Sequence, residues 1–383
     1  MKILIVFGTR PEAIKMASII KALQKSSSFS FKICVTAQHR EMLDQVLDLF
    51  QITPDYDLNI MKPGQELSDL VGTAIRKISS VINDFLPDMI LVQGDTTTTL
   101  AAALAGFYKQ VPIGHIEAGL RTGDLYSPWP EEGNRRLTTH IATLHFAPTS
   151  ANRLNLIKEG INEADILITG NTVIDALQHI VNKIMTNREI ETTIETRIKS
   201  MTRNDIFNSN YILVTGHRRE NFGIGFLNIC SALKTIALNH PNMNIIYPVH
   251  LNPNVMQPVH DILAGIKNII LIKPIDYLSF TYLMMKSWII LTDSGGIQEE
   301  APALGKPVLV MRKKTERFEG VEAGTVRLVG IDPQSITESV EELLHYDSIY
   351  ERMSRAKNPY GNGNAGETIV NFLNKRYEKT SSR

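Results

Sequence analysis

The chain has 383 residues, 43% hydrophobic and 21% charged, more than one hydrophobic core usually supports, so two domains are the expectation. Lysine plus arginine balances aspartate plus glutamate at 40 each, which removes any global-charge argument for nucleic acid or an acidic membrane surface as partner. Cys34 and Cys230 are the only cysteines, the opening "MKILIVFGTRPEA" is too short in its apolar run for a signal peptide, and no stretch approaches the roughly 18 apolar residues of a spanning helix; a soluble, reduced, cytoplasmic protein is expected.

In chain order, "KILIVFG", "FKICVTA", "DMILVQGD", "VPIGHIEAG" and "TLHFAPT" are short apolar runs separated by helical patterns such as "TTTTLAAALAGFYKQ". A polar stretch over 181–210 reads as helix and linker. The runs then resume as "YILVTGH", "NIIYPVH", "NIILIKP", "WIILTDSGG", "PVLVMR" and "TVRLVG". Alternating βα units predict parallel sheets, and runs apolar throughout suit strands covered on both faces. The expected fold is α/β, with two Rossmann-like doubly wound domains facing a central cleft. The first spans 1–170 and the second 171–365, and a C-terminal helix over 366–383 is expected to pack back on the first. Doubly wound sheets bind ligands at the carboxyl ends of their strands, so residues just after the strands are the candidates.

"LTDSGGIQEE" (291–300) carries a strand into a helix through Ser294, Gly295 and Gly296. Free amides and the helix dipole there attract an anion. Glu300, four residues after Gly296, lies on the same helix face. A carboxylate beside a diphosphate is tolerated when ribose hydroxyls stand between them, so the ligand that fits is a nucleoside diphosphate, with Glu299 read as a first-turn stabiliser. In the first half, Asp95 and Glu117 end their strands. Asp95 could cap the following helix, whereas Glu117 opens a loop. In "SPWPEEGNRR", Glu131 and Arg135 stand at i,i+4 spacing, which alone would be a surface ion pair. His217 and Arg218 follow "YILVTG" directly. Arg10, Lys15 and Arg317 add cations. No Gly-x-Gly-x-x-Gly follows the first strand and no His/Cys cluster has zinc spacing, so neither NAD nor a metal, nor any other cofactor, is expected. Asp55, Tyr56 and Asp57 spell a DxD, but away from the strand ends, and are assigned no metal.

Together, "FGTRPEAIKM", "TAQHREML", "QGDTTTTLAAALA", "HIEAGLRT", "SPWPEEGNRR", "ITGNTVIDAL", "TGHRREN", "PVHLNPNV" and "TDSGGIQEEAPALGKPVLVMR" resemble the non-hydrolysing UDP-N-acetylglucosamine 2-epimerase family over nearly the whole chain. The resemblance implies a glycosyltransferase-B-like fold, a homodimer, and interconversion of UDP-GlcNAc and UDP-ManNAc for bacterial surface polysaccharide, with UDP as the leaving and returning group. It implies catalytic positions at Asp95, Glu117, Glu131 and His217. It implies substrate contacts at Arg10, Lys15, Arg135, His250, Phe280, Ser294, Gly295, Gly296, Glu300 and Arg317. Ile275 departs from the pattern, standing where some relatives have a polar residue near the uracil. A glycosyltransferase of the same fold, a hydrolysing epimerase and a silent UDP-sugar sensor are the alternatives.

Some bacterial relatives bind a second UDP-GlcNAc as an activator through a Gln-x-x-Gln pair and a downstream arginine. This chain keeps Gln38 but has Glu41 and Gly64 at the other two positions. An acid facing a diphosphate, with the arginine missing, predicts hyperbolic rather than sigmoidal dependence of initial rate on UDP-GlcNAc; strongly sigmoidal rates would contradict it.

Overall fold

The computed structural model describes residues 1–37, 40–61, 64–202 and 206–381. Gln38 and the side chain of Glu41 lie outside what is described. The chain divides into two compact units, Met1–Ala176 with Tyr360–Arg383, and Leu177–Pro359. Sequence had suggested divisions at 170/171 and 365/366. Among the described residues no helix is long and apolar enough to cross a membrane.

The first unit is built on seven strands: β1 (Lys2–Phe7), β2 (Ser30–Val35), β3 (Tyr56–Asp57), β4 (Met89–Gln93), β5 (Ile113–Ile116), β6 (Leu144–Ala147) and β7 (Ile166–Ile168). They pair in the order β3-β2-β1-β4-β5-β6-β7, every pair parallel. The second unit carries β8 (Tyr211–Thr215), β9 (Asn244–Pro248), β10 (Ile269–Ile272), β11 (Ile289–Thr292), β12 (Val308–Val310) and β13 (Val326–Leu328). Their order is β10-β9-β8-β11-β12-β13, again all parallel. This is the α/β, two-Rossmann composition of the glycosyltransferase-B-like class. Ile3 through Phe7 are wholly buried, because helices cover both faces of the sheet. β3 and β7 have no counterpart among the apolar runs of the sequence. They are edge strands of two and three residues, too short to leave a periodic signal.

The stretch 181–210 is less of a linker than its polarity suggests. Helix Arg188–Thr202 buries Ile194 and Ile198, one turn apart on one face, and its Glu195 accepts from the Tyr282 hydroxyl at 2.5 Å; it belongs to the second unit. The two thiols are buried and free. Burial pushes each up to about 12, so neither is reactive.

Strand order shows where each sheet opens a crevice. In the first sheet β1 has β2 on one side and β4 on the other; in the second, β8 lies between β9 and β11. At such a reversal the helices after neighbouring strands leave on opposite faces and open a crevice at the carboxyl ends. The turns after β1 and β4, and after β8 and β11, are the segments that carry Arg10, Asp95, His217 and Ser294.

The C-terminal helix Ala365–Ser381 packs on helix Arg10–Gln24, and the Gly366 amide donates to Asp175 Oδ1 at 2.8 Å. A Cβ on Gly366 would lie 2.9 Å from the backbone carbonyl of Ser18, so the two helices meet backbone to backbone. Gly366→Ala should therefore destabilise the protein by about 1–3 kcal/mol. Gly72→Ala should instead gain about 0.5–1 kcal/mol, because a methyl there meets only the flexible end of Arg76 at 3.5 Å. Urea unfolding of both variants checks the contrast, and equal midpoints would contradict it.

Candidate active site

In the first unit, the end of β4 organises two ion pairs. Lys15, on helix Arg10–Gln24, reaches both oxygens of Glu117 at 2.6 and 2.7 Å. Glu117 follows β5 with φ at +64°, a left-handed conformation that a side chain other than glycine's adopts at a cost. Gln93, the last residue of β4, donates its amide to the same carboxylate. Two residues on, Asp95 Oδ2 accepts from Arg135 Nε at 3.1 Å and Nη2 at 2.5 Å. Asp95 does not cap the helix Thr97–Tyr108; Thr96 does, accepting from the Thr99 amide. The Asp95 carbonyl receives the Asn134 side-chain amide at 2.9 Å.

Arg135 and Glu131 do not form the i,i+4 surface pair that their spacing allows. Arg135 is 4% exposed and its Nη1 pairs with Glu132 at 3.0 Å, one residue round the helix Glu131–Ile141. Glu132 is wholly buried and also takes Arg136 at 3.0 Å and the Thr122 amide at 3.1 Å. Glu131 is half-buried, with no hydrogen bond or ion pair to its carboxylate among the described residues. Arg10 is exposed at the first turn of its helix. Asp55 and Asp57 are occupied elsewhere: Asp55 accepts the Ile33 amide and Asp57 pairs with Arg40.

The β4 turn is held from beneath by His115 of β5, whose Nε2 lies 2.7 Å from the Gly94 carbonyl. A carbonyl only accepts, so Nε2 carries the proton. Burial keeps this ring neutral, its pKa lowered to about 3.

In the second unit, His217 follows β8 and stacks on His250 with ring centroids 5.8 Å apart. The turn that carries it rests on Asp293, which is wholly buried at the end of β11. Asp293 accepts from the amides of His217 at 3.0 Å and Arg218 at 2.9 Å and from Asn221 Nδ2 at 3.2 Å. His217 Nδ1 stands 3.5 Å from its other oxygen. Ser294 stands at the N-cap position of helix Gly295–Ala303, its side chain making no capping bond. A Cβ on Gly295 would fall 2.5 Å from the Arg317 guanidinium carbon, whereas at Gly296 the nearest atom would be Glu300 Oε2 at 3.9 Å. Close approach at Gly295 thus serves Arg317, whereas a side chain at Gly296 would meet only the Glu300 carboxylate. Glu300 accepts from the Tyr277 hydroxyl, three residues before Phe280 on helix Tyr277–Lys286. Ile275 is half-buried just before that helix.

Glu299 is not the first-turn stabiliser that its sequence position suggested, because the helix starts at Gly295 and no acid stands in its first turn. It is buried and takes Arg317 Nε at 2.8 Å, while Arg317 also pairs with Glu316. Burial alone would raise the Glu316 carboxyl, but Arg317, Arg312 and Arg218 outweigh it and hold it well below the usual carboxylate range.

Sequence reasoning passed over Glu12, Gln93, Glu132, Asp293 and Tyr277. Glu12 had a readable signal: Thr9 and Glu12 in "TRPE" have capping-box spacing, and Glu12 accepts the Thr9 amide at 2.7 Å. Asp293 ends an apolar run in the manner of Asp95. Glu132 and Tyr277 have no local signal, since their partners are set by tertiary packing.

The folded His115 refuses a proton that the unfolded chain takes up below about pH 6.5. Its contribution to stability is therefore full above that pH and falls as pH drops toward 3, by at most about 1.4 kcal/mol per pH unit. His145, buried and also shifted down, acts in the same direction. Urea unfolding between about pH 7.5 and 5 should show a shallower loss for His115→Gln than for the parent; parallel curves would contradict it.

Residues 21–374 match the family profile described as UDP-N-acetylglucosamine 2-epimerase. The chain is 57% identical to the UDP-N-acetylglucosamine 2-epimerase of Escherichia coli strain K12 over 373 residues, 97% of this chain and 98% of that one. It is likewise 57% identical to that of Yersinia pestis, with the same coverage. Among solved structures, the Neisseria meningitidis UDP-GlcNAc 2-epimerase bound to UDP-GlcNAc superposes with a TM-score of 0.92 at 54% identity, covering 98% of this chain and 100% of that one. With both sheets, their reversal points and these likenesses in agreement, the chain belongs to the non-hydrolysing UDP-N-acetylglucosamine 2-epimerase family.

Proposed function

We propose that the chain interconverts UDP-GlcNAc and UDP-ManNAc by eliminating UDP across C1 and C2 of the sugar and adding it back. The observation that carries this reading is a set of three acids in the first unit: Asp95 just after β4 and held by Arg135, Glu117 just after β5 and held by Lys15, and Glu131 at the start of helix Glu131–Ile141, half-buried with no ion pair among the described residues.

The C2 proton has no adjoining carbonyl and is not acidic. Its removal becomes feasible when charge leaves simultaneously through the C1–O bond, giving UDP and 2-acetamidoglucal. Epimerisation then requires anti elimination and return of a proton to the other face of C2, so proton-handling groups are needed on both faces. Asp95, Glu117 and Glu131 supply them, each such transfer contributing about 10²–10⁴-fold. The ammonium and guanidinium groups fix the orientation of two of these carboxylates, which is what a proton transfer of defined geometry demands.

The leaving diphosphate needs preorganised positive potential. Ser294, the amides of Gly295 and Gly296, Arg317 and the dipole of helix Gly295–Ala303 provide it in the second unit, with His217 and His250 at the neighbouring strand ends. Glu300, steadied by Tyr277, takes the ribose hydroxyls, and Phe280 flanks the nucleoside. Arg10 and Lys15 complete the charge on the sugar side. In this reading the enzyme needs no cofactor, works in the cytoplasm as a homodimer, and supplies ManNAc units for a bacterial surface polysaccharide.

Incubation with UDP-GlcNAc in heavy water should place solvent deuterium at C2 of the epimerised product. Oxygen-18 placed in the C1–O–P bridge should scramble into non-bridging positions. Asp95→Asn, Glu117→Gln and Glu131→Gln should each slow turnover by about 10²-fold or more while leaving UDP affinity intact. Product without C2 deuterium would sink the elimination, and accumulation of free ManNAc with UDP would indicate hydrolysis in its place.

A further inference from the structure

Glu12 has no part in the reaction as proposed, yet four donors converge on its carboxylate. Oε2 accepts from the amides of Gly8 at 3.0 Å and Thr9 at 2.7 Å. Oε1 accepts from the Thr96 hydroxyl at 2.7 Å and lies 3.1 Å from that of Thr99, whose single proton it shares with the Gln93 carbonyl at 2.6 Å. A helix cap needs only the Thr9 bond. The two hydroxyls lie 84 and 87 residues further along the chain, at the start of the helix after β4. Glu12 is 1% exposed. Burial raises its carboxyl, and the hydrogen bonds from Thr96, Thr9 and Gly8 offset part of that. A carboxyl buried at such expense serves more than a helix end.

Its partners bracket the candidate chemistry. Gly8 and Thr9 immediately precede Arg10, and Thr96 immediately follows Asp95. The packing beneath leaves no slack: Thr36 and Thr98 hydroxyls meet at 2.7 Å, and a Cβ on Gly8 would lie 2.0 Å from Thr36 Oγ1. We infer that Glu12 is a positioning residue, which locks the β1 turn to the β4 turn and so fixes Arg10 and the Asp95–Arg135 pair at the separation the reaction needs. This rests on the reading of Asp95 as a proton-handling group.

The test is a double-mutant cycle on the full chain with UDP-GlcNAc as substrate. Glu12→Gln keeps shape but offers one acceptor oxygen where the carboxylate offers two. It should lower kcat by about 10–100-fold with KM and UDP affinity within about threefold. Combined with Asp95→Asn, it should add no more than about a threefold further loss, because groups acting as one unit are not additive. Losses that multiply would overturn the positioning role, as would a folded Glu12→Gln with parental kcat. If Glu12→Gln does not fold, Thr96→Val cuts the same link from the other side while Glu12 stays. A lowered kcat, again without further loss in combination with Asp95→Asn, supports the lock; an unchanged kcat overturns it. Asp95→Asn with undiminished turnover removes Asp95 from the chemistry and with it the reading beneath this inference, an outcome distinct from multiplying losses.

Discussion

Where a parallel sheet stops, the backbone amides of the outgoing turn lose their ladder partners and must find acceptors elsewhere. At two strand ends of this chain a buried carboxylate meets that requirement. In the first unit Glu12 accepts the amides after β1; in the second, Asp293 accepts the amides after β8. Glu12 also binds Thr96 and Thr99 from the segment after β4, whereas Asp293, itself at the end of β11, binds Asn221 further along the segment after β8. Hydrogen bonds to a charged acceptor contribute about 1.5–3 kcal/mol each, enough to offset much of the desolvation of one carboxylate. The same chemistry recurs at corresponding places in two sheets.

The second constraint is charge. Arg135 and Glu132 are nearly or wholly buried, and such pairs contribute little net stability because desolvation cancels attraction. Removing one partner is another matter, costing about 3–5 kcal/mol. The pattern therefore favours fixed geometry over stability. Around Arg317 the same logic extends to a chain of ion pairs, Glu299 to Arg317 to Glu316 to Arg312 to Glu220. Arg317 is thereby held against the Gly295 turn, its guanidinium oriented before any ligand arrives.

Much of this was legible in sequence because strand ends announce themselves. Apolar runs that stop at Asp95, Glu117, His217 and Ser294 identify the carboxyl ends of strands, and the topology of a doubly wound sheet gives those ends their meaning. What sequence could not provide is pairing. Arg135 at i,i+4 from Glu131 looked like its partner, but local spacing loses to burial, and Arg135 turns to Asp95, 40 residues away. Glu299 looked like a first-turn residue because Arg317, 18 positions on, is brought to it only by folding. The two-residue β3 and three-residue β7 left no periodicity, since their neighbours and not their own composition define them. Glu12 was readable as a cap and unreadable as a lock, because Thr96 and Thr99 reach it only through the pairing of β1 with β4.

The two units use one topological position for different ends. After β4 and β5, the first unit presents side-chain carboxylates, each aimed by its own cation. Proton transfer tolerates little error in distance, so groups seated on strand ends and locked by packed partners suit it. After β11, the second unit presents a glycine turn and a helix start, where backbone amides and the helix dipole favour an anion. A diphosphate, as the proposed reaction releases, is large, multiply charged and met by several donors at once, which a nest of amides with one preset arginine suits. Glycine is needed where Arg317 must press on the backbone, and side chains are needed where single protons must move. The first sheet thus ends in carboxylates aimed by cations and the second in a glycine turn with an arginine against it, the two kinds of group that the proposed elimination calls for.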